Sequence, residues 1–367
     1  MKLDQVQVTQ FRNLSSCSIK PASHLNLVVG KNGSGKSSLL EALYYLSNGR
    51  SFRTNRFQSL VQHQHENFVL YASTLNEVNG VKGKVGVQRS LDGAVEMQIN
   101  GQRQSKISAL ASLIPTQIFT PQSSDLISGA PSLRRSYLDW GLFHVEHSFL
   151  NISTRYVKVL KQRNANLKGD KFDRTVDDIW CQQLGALGME ITLLRRSYIE
   201  QISLHINSQL QQFLPEFSVE IAYYSGWDKS LELHQAIAKQ LIKDRQYGYT
   251  SSGPHKADLK LKVEGRPVFE VMSRGQLRML TAALQLAQSR LLFERRQVGG
   301  LYLLDDIGAE LDTSKRQLFI NTLINTNAQM FITATDNEQV SFLNDYDNKK
   351  VFHVEQGQVN EEKTING

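Results

Sequence analysis

The sequence predicts a mixed α/β fold interrupted by a helical insertion. Three observations predict it. A short apolar run, Leu25–Val29, closes on a glycine-rich loop; a second, Leu301–Leu304, closes on two aspartates; between them lies a long stretch of helical periodicity. At 367 residues the chain has room for two domains, and 40% hydrophobic with 21% charged residues is the balance of a soluble globular protein. The expected organisation is an N-terminal lobe over 1–125, a helical insertion over 126–248 and a C-terminal lobe over 249–367.

Taken in chain order, Leu25-Asn26-Leu27-Val28-Val29 reads as a buried strand ending at Gly30. Between about Asn67 and Ser105 short alternating segments are punctuated by Asn79-Gly80, Asp92-Gly93 and Asn100-Gly101, which supply the positive φ values of tight hairpin turns. An antiparallel meander is expected there. Helical texture begins at Pro131, and Leu187, Ile191, Leu194, Tyr198, Ile202, Ile206, Leu210 and Phe213 mark one face of a long helix stopped by Pro215. That stripe reads as core packing. Strands return with Leu259, Leu261 and Val263, before a turn at Glu264-Gly265.

The N-terminus lacks the apolar region of a signal peptide, and no stretch approaches the roughly 18 apolar residues of a membrane span. Cys17 and Cys181 are too few for a disulfide framework and lack metal-ligand spacing. A cytoplasmic protein with no membrane partner is expected. A net charge of +7 and a pI near 9.2 are compatible with nucleic acid without requiring it.

Gly30-Lys31-Asn32-Gly33-Ser34-Gly35-Lys36-Ser37 fits G-x-x-x-x-G-K-[ST] in full, after a strand and before a helix. Chance produces that match in a chain of this length about once in a hundred, so the motif carries weight. Its glycines turn backbone N–H groups inward around phosphates, and the following helix presents its positive end. Lys36 is expected on the β- and γ-phosphates of ATP and Ser37 on Mg²⁺. Asp305 is expected to hold Mg²⁺ through water, with Asp306 placed to orient the attacking water.

Met272-Ser273-Arg274-Gly275-Gln276 precedes a helix bearing Leu277, Leu280, Leu284 and Ala287, and joins a hydroxyl, free N–H groups and a helix dipole at one point. An ordinary helix cap is the alternative. The segment resembles the S-x-G-Q signature of the ABC ATPases and lies 28 residues before Leu301, as that resemblance requires. The resemblance implies that Ser273, Arg274, Gly275 and Gln276 cover the γ-phosphate held by a second copy, making an ATP-dependent homodimer. Ala309-Glu310-Leu311-Asp312 resembles the family's D-loop, with Asp312 at the dimer interface. Lys36 and Ser273 stand 237 residues apart, much farther than in transporter ATPases, and Phe331-Ile332-Thr333-Ala334-Thr335-Asp336 offers no switch histidine. Both features point to the SMC-like branch and away from the alternative, a transporter subunit.

Within that branch the chain resembles the RecF family of bacterial recombination proteins. The match is carried by Phe11-Arg12-Asn13-Leu14, Gly49-Arg50-Ser51-Phe52-Arg53-Thr54, Pro131–Asp139, Ser252–Leu259 and Ser273–Leu277. It implies an ABC/SMC-type head, a weak DNA-dependent ATPase, partnership with RecR, and a place with RecO and RecA in repair, replication restart and the SOS response. It also puts Arg12 and Asn13 on the nucleotide, with Gln122 as the Q-loop residue after the Thr116–Thr120 strand. Departures are Lys256 and Ala257 for the family's Arg and Asp, Gly308 and Ala309 for the bulky residue and Ser usual before Glu310-Leu311-Asp312, and Asp306 where many ABC enzymes have Glu. That shorter acid predicts slow hydrolysis; an ATP-sensing DNA-binding module without significant hydrolysis is the other reading.

For DNA, two basic clusters are candidates: Lys82, Lys84, Arg89, Arg103 and Lys106 in the meander, and Lys158, Lys161, Arg163, Lys168 and Lys171 in the helical insert. In a clamp they would read phosphates rather than base sequence. The alternative for each is a solvated face.

Overall fold

The computed structural model describes residues 1–362 except 78, 170–171, 308–310, 336–337 and 344–345, and except the side chains of 338 and 339. By compactness the chain divides into two units, Met1–Ser123 with Leu292–Gly367, and Ser124–Leu291.

The first unit holds two sheets. One is antiparallel, in the order β2-β1-β4-β5-β6-β7: β1 Lys2–Phe11, β2 Leu14–Ile19, β4 Asn67–Leu75, β5 Lys82–Ser90, β6 Val95–Ile99 and β7 Gln102–Arg103. This is the expected meander. Asn100 and Gly101 turn at φ 52° and 78°, as a two-residue hairpin demands. The other sheet runs β15-β14-β3-β13-β12-β8: β3 Leu25–Val29, β8 Thr116–Phe119, β12 Leu301–Leu304, β13 Gln329–Ala334, β14 Lys349–Glu355 and β15 Gln358–Glu361. From β14 to β8 it is parallel; β15 closes the edge antiparallel.

Helix α1 (Lys36–Asn48) joins the two sheets, and a short helix, α2 (Ser108–Leu113), leads from the meander to β8. Nine residues of α1, from Ser38 to Ser47, are buried. A helix apolar on one side only would leave a solvent face; this one is enclosed on nearly all sides. Leu39, Leu40, Leu43 and Tyr45 share one core with Val6 and Phe11 of β1, Phe68 of β4, and Leu303 and Phe331 of the parallel sheet.

In the second unit the helices are α3 Asp125–Ser128, α4 Pro131–Val145, α5 Phe149–Lys168, α6 Arg174–Phe213, α7 Leu233–Lys239, α8 Leu241–Tyr247, α9 Val268–Val271 and α10 Arg274–Arg296, of which α10 runs through the 291/292 boundary. The expected stripe from Leu187 to Phe213 is buried along α6 except at Leu194, which is half-buried, and the helix ends two residues before Pro215. A three-stranded sheet, β11-β10-β9, completes the unit: β9 Glu220–Tyr224, β10 Asp258–Val263 and β11 Arg266–Pro267. Because β10 pairs along its length with β9, residues 249–291 go with the helices. The boundary therefore lies at 291/292 rather than at the expected 248/249.

Candidate nucleotide-binding site

All five residues of β3 are buried, and the strand delivers the chain to the phosphate-type loop between β14 and β13. Crowding dictates Gly30, since a Cβ there would meet the Val354 carbonyl oxygen at 2.3 Å. Gly35 adopts φ 123°, closed to side chains, and a Cβ would press on Asn13 Nδ2 at 3.1 Å. Asn13 in turn donates to the Ser34 carbonyl at 3.2 Å, pinning the loop from β1's end. Helix α1 starts at Lys36 with no side-chain cap and no acid in its first turn. Its first N–H groups have no intrahelical acceptor and its positive end faces the loop, which is an anion site in elementary terms.

Lys36 Nζ donates to the carbonyls of Gly30 at 2.6 Å and Lys31 at 3.1 Å. Burial lowers its ammonium from the ordinary lysine value, while Asp306 and Asp305 draw it back up. Ser37 Oγ donates to Asp305 Oδ1 at 3.0 Å, and Thr333 Oγ1 donates to the same oxygen at 2.9 Å. The Asp306 N–H donates to Thr333 Oγ1 at 2.7 Å, and Asp306 takes φ 55°, a strained turn out of the strand. A hydroxyl and a carboxylate meeting at one point are hard oxygen donors, which suits Mg²⁺ rather than a softer metal.

The opposite wall is built on a buried carboxylate. Glu41, on α1 and fully buried, receives Arg12 through two bonds, Nε to Oε2 at 3.0 Å and Nη2 to Oε1 at 2.8 Å. Arg12 Nη1 also donates to the Ser59 carbonyl at 2.9 Å. Ser51 Oγ donates to Glu41 Oε1, and Arg53 Nη1 lies 3.8 Å from Oε2. Together these walls bound a cleft of about 590 Å³ lined by, among others, Arg12, Asn13, Lys36, Ser37, Asp305 and Asp306. Lys36, Ser37, Asp305, Asp306, Arg12 and Asn13 thus all line one cleft.

Other expected residues are placed elsewhere. Gln122 is exposed on the turn after β8, its N–H on Thr120 Oγ1, and does not line the cleft. Ser273 and Gln276 cap α10 reciprocally: the Ser273 N–H donates to Gln276 Oε1 at 2.9 Å and the Gln276 N–H to Ser273 Oγ at 3.3 Å. Ser273 and Arg274 are exposed, and a Cβ on Gly275 would meet nothing within 4 Å. Local packing therefore does not require that glycine. Asp312 caps the helix Thr313–Ile324, accepting from the Lys315 N–H at 2.9 Å, a bond that lowers its carboxyl below the usual range. Gly308, Ala309, Glu310, Asp336 and Lys171 lie outside the described residues.

The basic clusters divide. Lys82, Lys84, Arg103 and Lys106 are exposed. Arg89 is not part of that face: it shares its side of β5 with Val85 and Val87, covers the Phe57 ring at 3.9 Å and donates to Tyr45 Oη. Arg163 is wholly buried, with Nη1 on Asp244 at 2.8 Å and Nε on Asp177 at 3.0 Å, so its charge serves the interior of the helical unit. Sequence reasoning missed Glu41, Ser59, Val61 and His63 as parts or neighbours of the cleft; Arg53, Thr333 and Thr335 lay inside segments already singled out, but not as cleft residues. Among the described residues no helix is long and apolar enough to cross a membrane.

The RecF/RecN/SMC N terminal domain family model matches residues 2–360. A DNA replication and repair protein RecF from Pseudoalteromonas atlantica is 48% identical over 364 residues, 99% of this chain and 100% of that one. The protein of the same name from Shewanella woodyi is 38% identical over 357 residues, 97% of each chain. Among solved structures, the recombination mediator protein RecF with ATP, of the RecFOR pathway, superposes with a TM-score of 0.87 at 27% identity, covering 99% of this chain and 98% of that one. An Smc head bound to the C-winged helix domain of ScpA reaches 0.62 at 14% identity, over 100% and 98% of the two chains, a likeness of fold alone.

Proposed function

The chain belongs to the RecF branch of the RecF/RecN/SMC N terminal domain family, with the ABC/SMC-type ATPase head fold, and from that premise we propose that it is an ATP-dependent DNA-binding protein of recombinational repair and replication restart. Two copies close around two ATP molecules on DNA, and slow hydrolysis releases them. The protein acts in the cytoplasm, binds DNA without sequence preference, and works with RecR and RecO to load RecA at gaps, supporting the SOS response.

One observation carries the ATP part: the uncapped start of α1, Lys36, the Ser37–Asp305 pair and the Arg12 wall face a single cleft. Lys36 and the loop N–H groups bind the β- and γ-phosphates; Ser37, and Asp305 through water, would hold Mg²⁺, which would supply charge neutralisation at the phosphates. Asp306 orients water, with a side chain one methylene shorter than Glu, and turnover below about 1 s⁻¹ is expected. The corner of exposed Ser273 and Arg274, with open space over half-buried Gly275, leaves room for the γ-phosphate of a second copy's nucleotide.

The test is molar mass by light scattering, with and without ATP and Mg²⁺, for the parent, Ser273→Arg and Lys36→Arg. The parent is expected to double in mass with ATP and both variants to stay monomeric. A parent that binds ATP yet stays monomeric, with or without DNA, would overturn the clamp.

A further inference from the structure

The segment 244–251 carries an aromatic pair that the nucleotide cleft does not use. Helix α8 ends at Tyr247 and turns at Gly248, whose φ of 71° and ψ of 22° are left-handed. The turn folds Tyr249 back beside Tyr247, with ring centroids 5.8 Å apart and planes within 22°. Both tyrosines stay half in solvent, at 52% and 42% exposure. Lys256 Nζ lies 4.6 Å from the centre of the Tyr249 ring. The stem of Lys168 lies against Gly248, 2.9 Å from where a Cβ would stand, and Lys243 precedes Tyr247 by one helical turn. All three lysines are exposed.

This surface is rooted in the interior. Thr250, next to Tyr249, is buried; its N–H and Oγ1 both donate to Asn164 Oδ1 at 2.8 Å, and it receives Arg163 Nη1 at 2.8 Å. Asp244, the carboxylate of the segment, is fully buried on Arg163, Ser251 Oγ and the Ser251 N–H, so it sends no negative charge outward. Buried charges carry a heavy desolvation cost, and here they fix a segment whose rings point away from the core. Tyrosine rings are ordinarily covered by packing. Two of them held stacked in solvent, with ammonium groups around them, present a flat π-surface beside positive charge.

The geometry points to a stacking site for unpaired bases of single-stranded nucleic acid, with a base on the Tyr247–Tyr249 stack and Lys168, Lys243 and Lys256 on the adjoining phosphates. A duplex interior has no free base face to offer it. The inference rests on the DNA-binding reading above and refines it by naming unpaired nucleotides as the ligand.

Equilibrium binding of labelled oligothymidylate and of a blunt duplex by the full-length protein tests it, using Tyr247→Ala/Tyr249→Ala and Tyr247→Phe/Tyr249→Phe. The alanine pair is expected to weaken single-strand binding about tenfold or more, to leave duplex binding unchanged, and to keep the parent melting temperature because both rings are half exposed. The phenylalanine pair is expected to bind both as the parent does. No loss in the alanine pair, or equal loss for strand and duplex, overturns the site. A parent that binds duplex but not oligothymidylate overturns this inference alone; a parent that binds neither overturns the DNA-binding reading with it.

Discussion

Glu41 shows how much of the cleft depends on one carboxylate. It is fully buried, yet one guanidinium grips both its oxygens, a serine hydroxyl adds a third bond and a second guanidinium stands 3.8 Å away. Removing Arg12 leaves the buried carboxylate with one serine bond and the guanidinium at 3.8 Å, and removing Glu41 leaves Arg12 with Ser59 alone; losing such a partner costs about 3 kcal/mol. Arg12→Ala and Glu41→Ala are each expected to lower unfolding free energy by about that amount. The double variant is expected to fall short of their sum by more than about 1 kcal/mol, as touching partners do. Urea unfolding of the four proteins checks it; additive losses would remove the pair from the wall. Arg12→Lys is no rescue, because a point charge cannot match a two-pronged bond. The sequence marked Arg12 through its Phe11–Leu14 segment but held no sign of Glu41. A glutamate on a helix is normally read as solvent-facing, and only the two sheets closing over α1 bury it. Arg89 is the opposite case: its parity with Val85 and Val87 already placed it on the inner face. Arg163 had the same signal on α5, one turn after Val159 and one before Leu167.

At the scale of elements, the short turn Pro254–Lys256 ties α5 to the strand region through a neutral histidine. His255 Nε2 is 2.9 Å from the Thr250 carbonyl, which can only accept, so the proton sits on Nε2 and Nδ1 accepts from Tyr156 Oη at 2.7 Å. Burial lowers the ring to about 4 from 6.5; Lys256 and Arg135 add to the shift, while the Thr250 bond and Asp244 oppose it. A lowered histidine contributes stability in full above its unfolded value and loses it as pH falls through the folded one. Between pH 6.5 and 4 the loss from this group amounts to about 3 kcal/mol at most. His255→Gln is expected to flatten that part of the stability profile, read as urea midpoints at pH 7.5 and 4.5; a profile as steep as the parent's would count against it. Elements with local rules were legible: the loop after β3, the hairpin turns and the α6 stripe each follow from neighbours in sequence. The pairing of β10 with β9, which carries residues 249–291 into the helical unit, spans more than thirty residues and left no local mark.

For the whole molecule, the net charge of +7 matters less than where it remains free. Arg163 and Arg89 are engaged inside their units, which removes them from any DNA surface. Lys82 and Arg103 make pairs at 3.8 and 3.4 Å with Asp4 and Glu96, but all four side chains are largely exposed, and such pairs give way readily to a phosphate. With Lys84 and Lys106 they form the outward part of the antiparallel lobe. If that lobe tracks a DNA backbone, affinity falls linearly in log salt, and every phosphate left without its cation lowers the slope by about 0.9 for duplex. Replacing Lys82, Lys84, Arg103 and Lys106 together by alanine is expected to reduce the slope by about 2 to 4 while leaving ATP binding intact. Arg89→Ala is expected to do the reverse, costing about 1 kcal/mol of stability by uncovering the Phe57 ring and leaving the slope as it was. Duplex titrations at a series of potassium chloride concentrations read both. A parent slope unchanged in the fourfold variant would move the DNA off this lobe, and a slope that falls with Arg89→Ala would mean that its seat over Phe57 is not kept in solution.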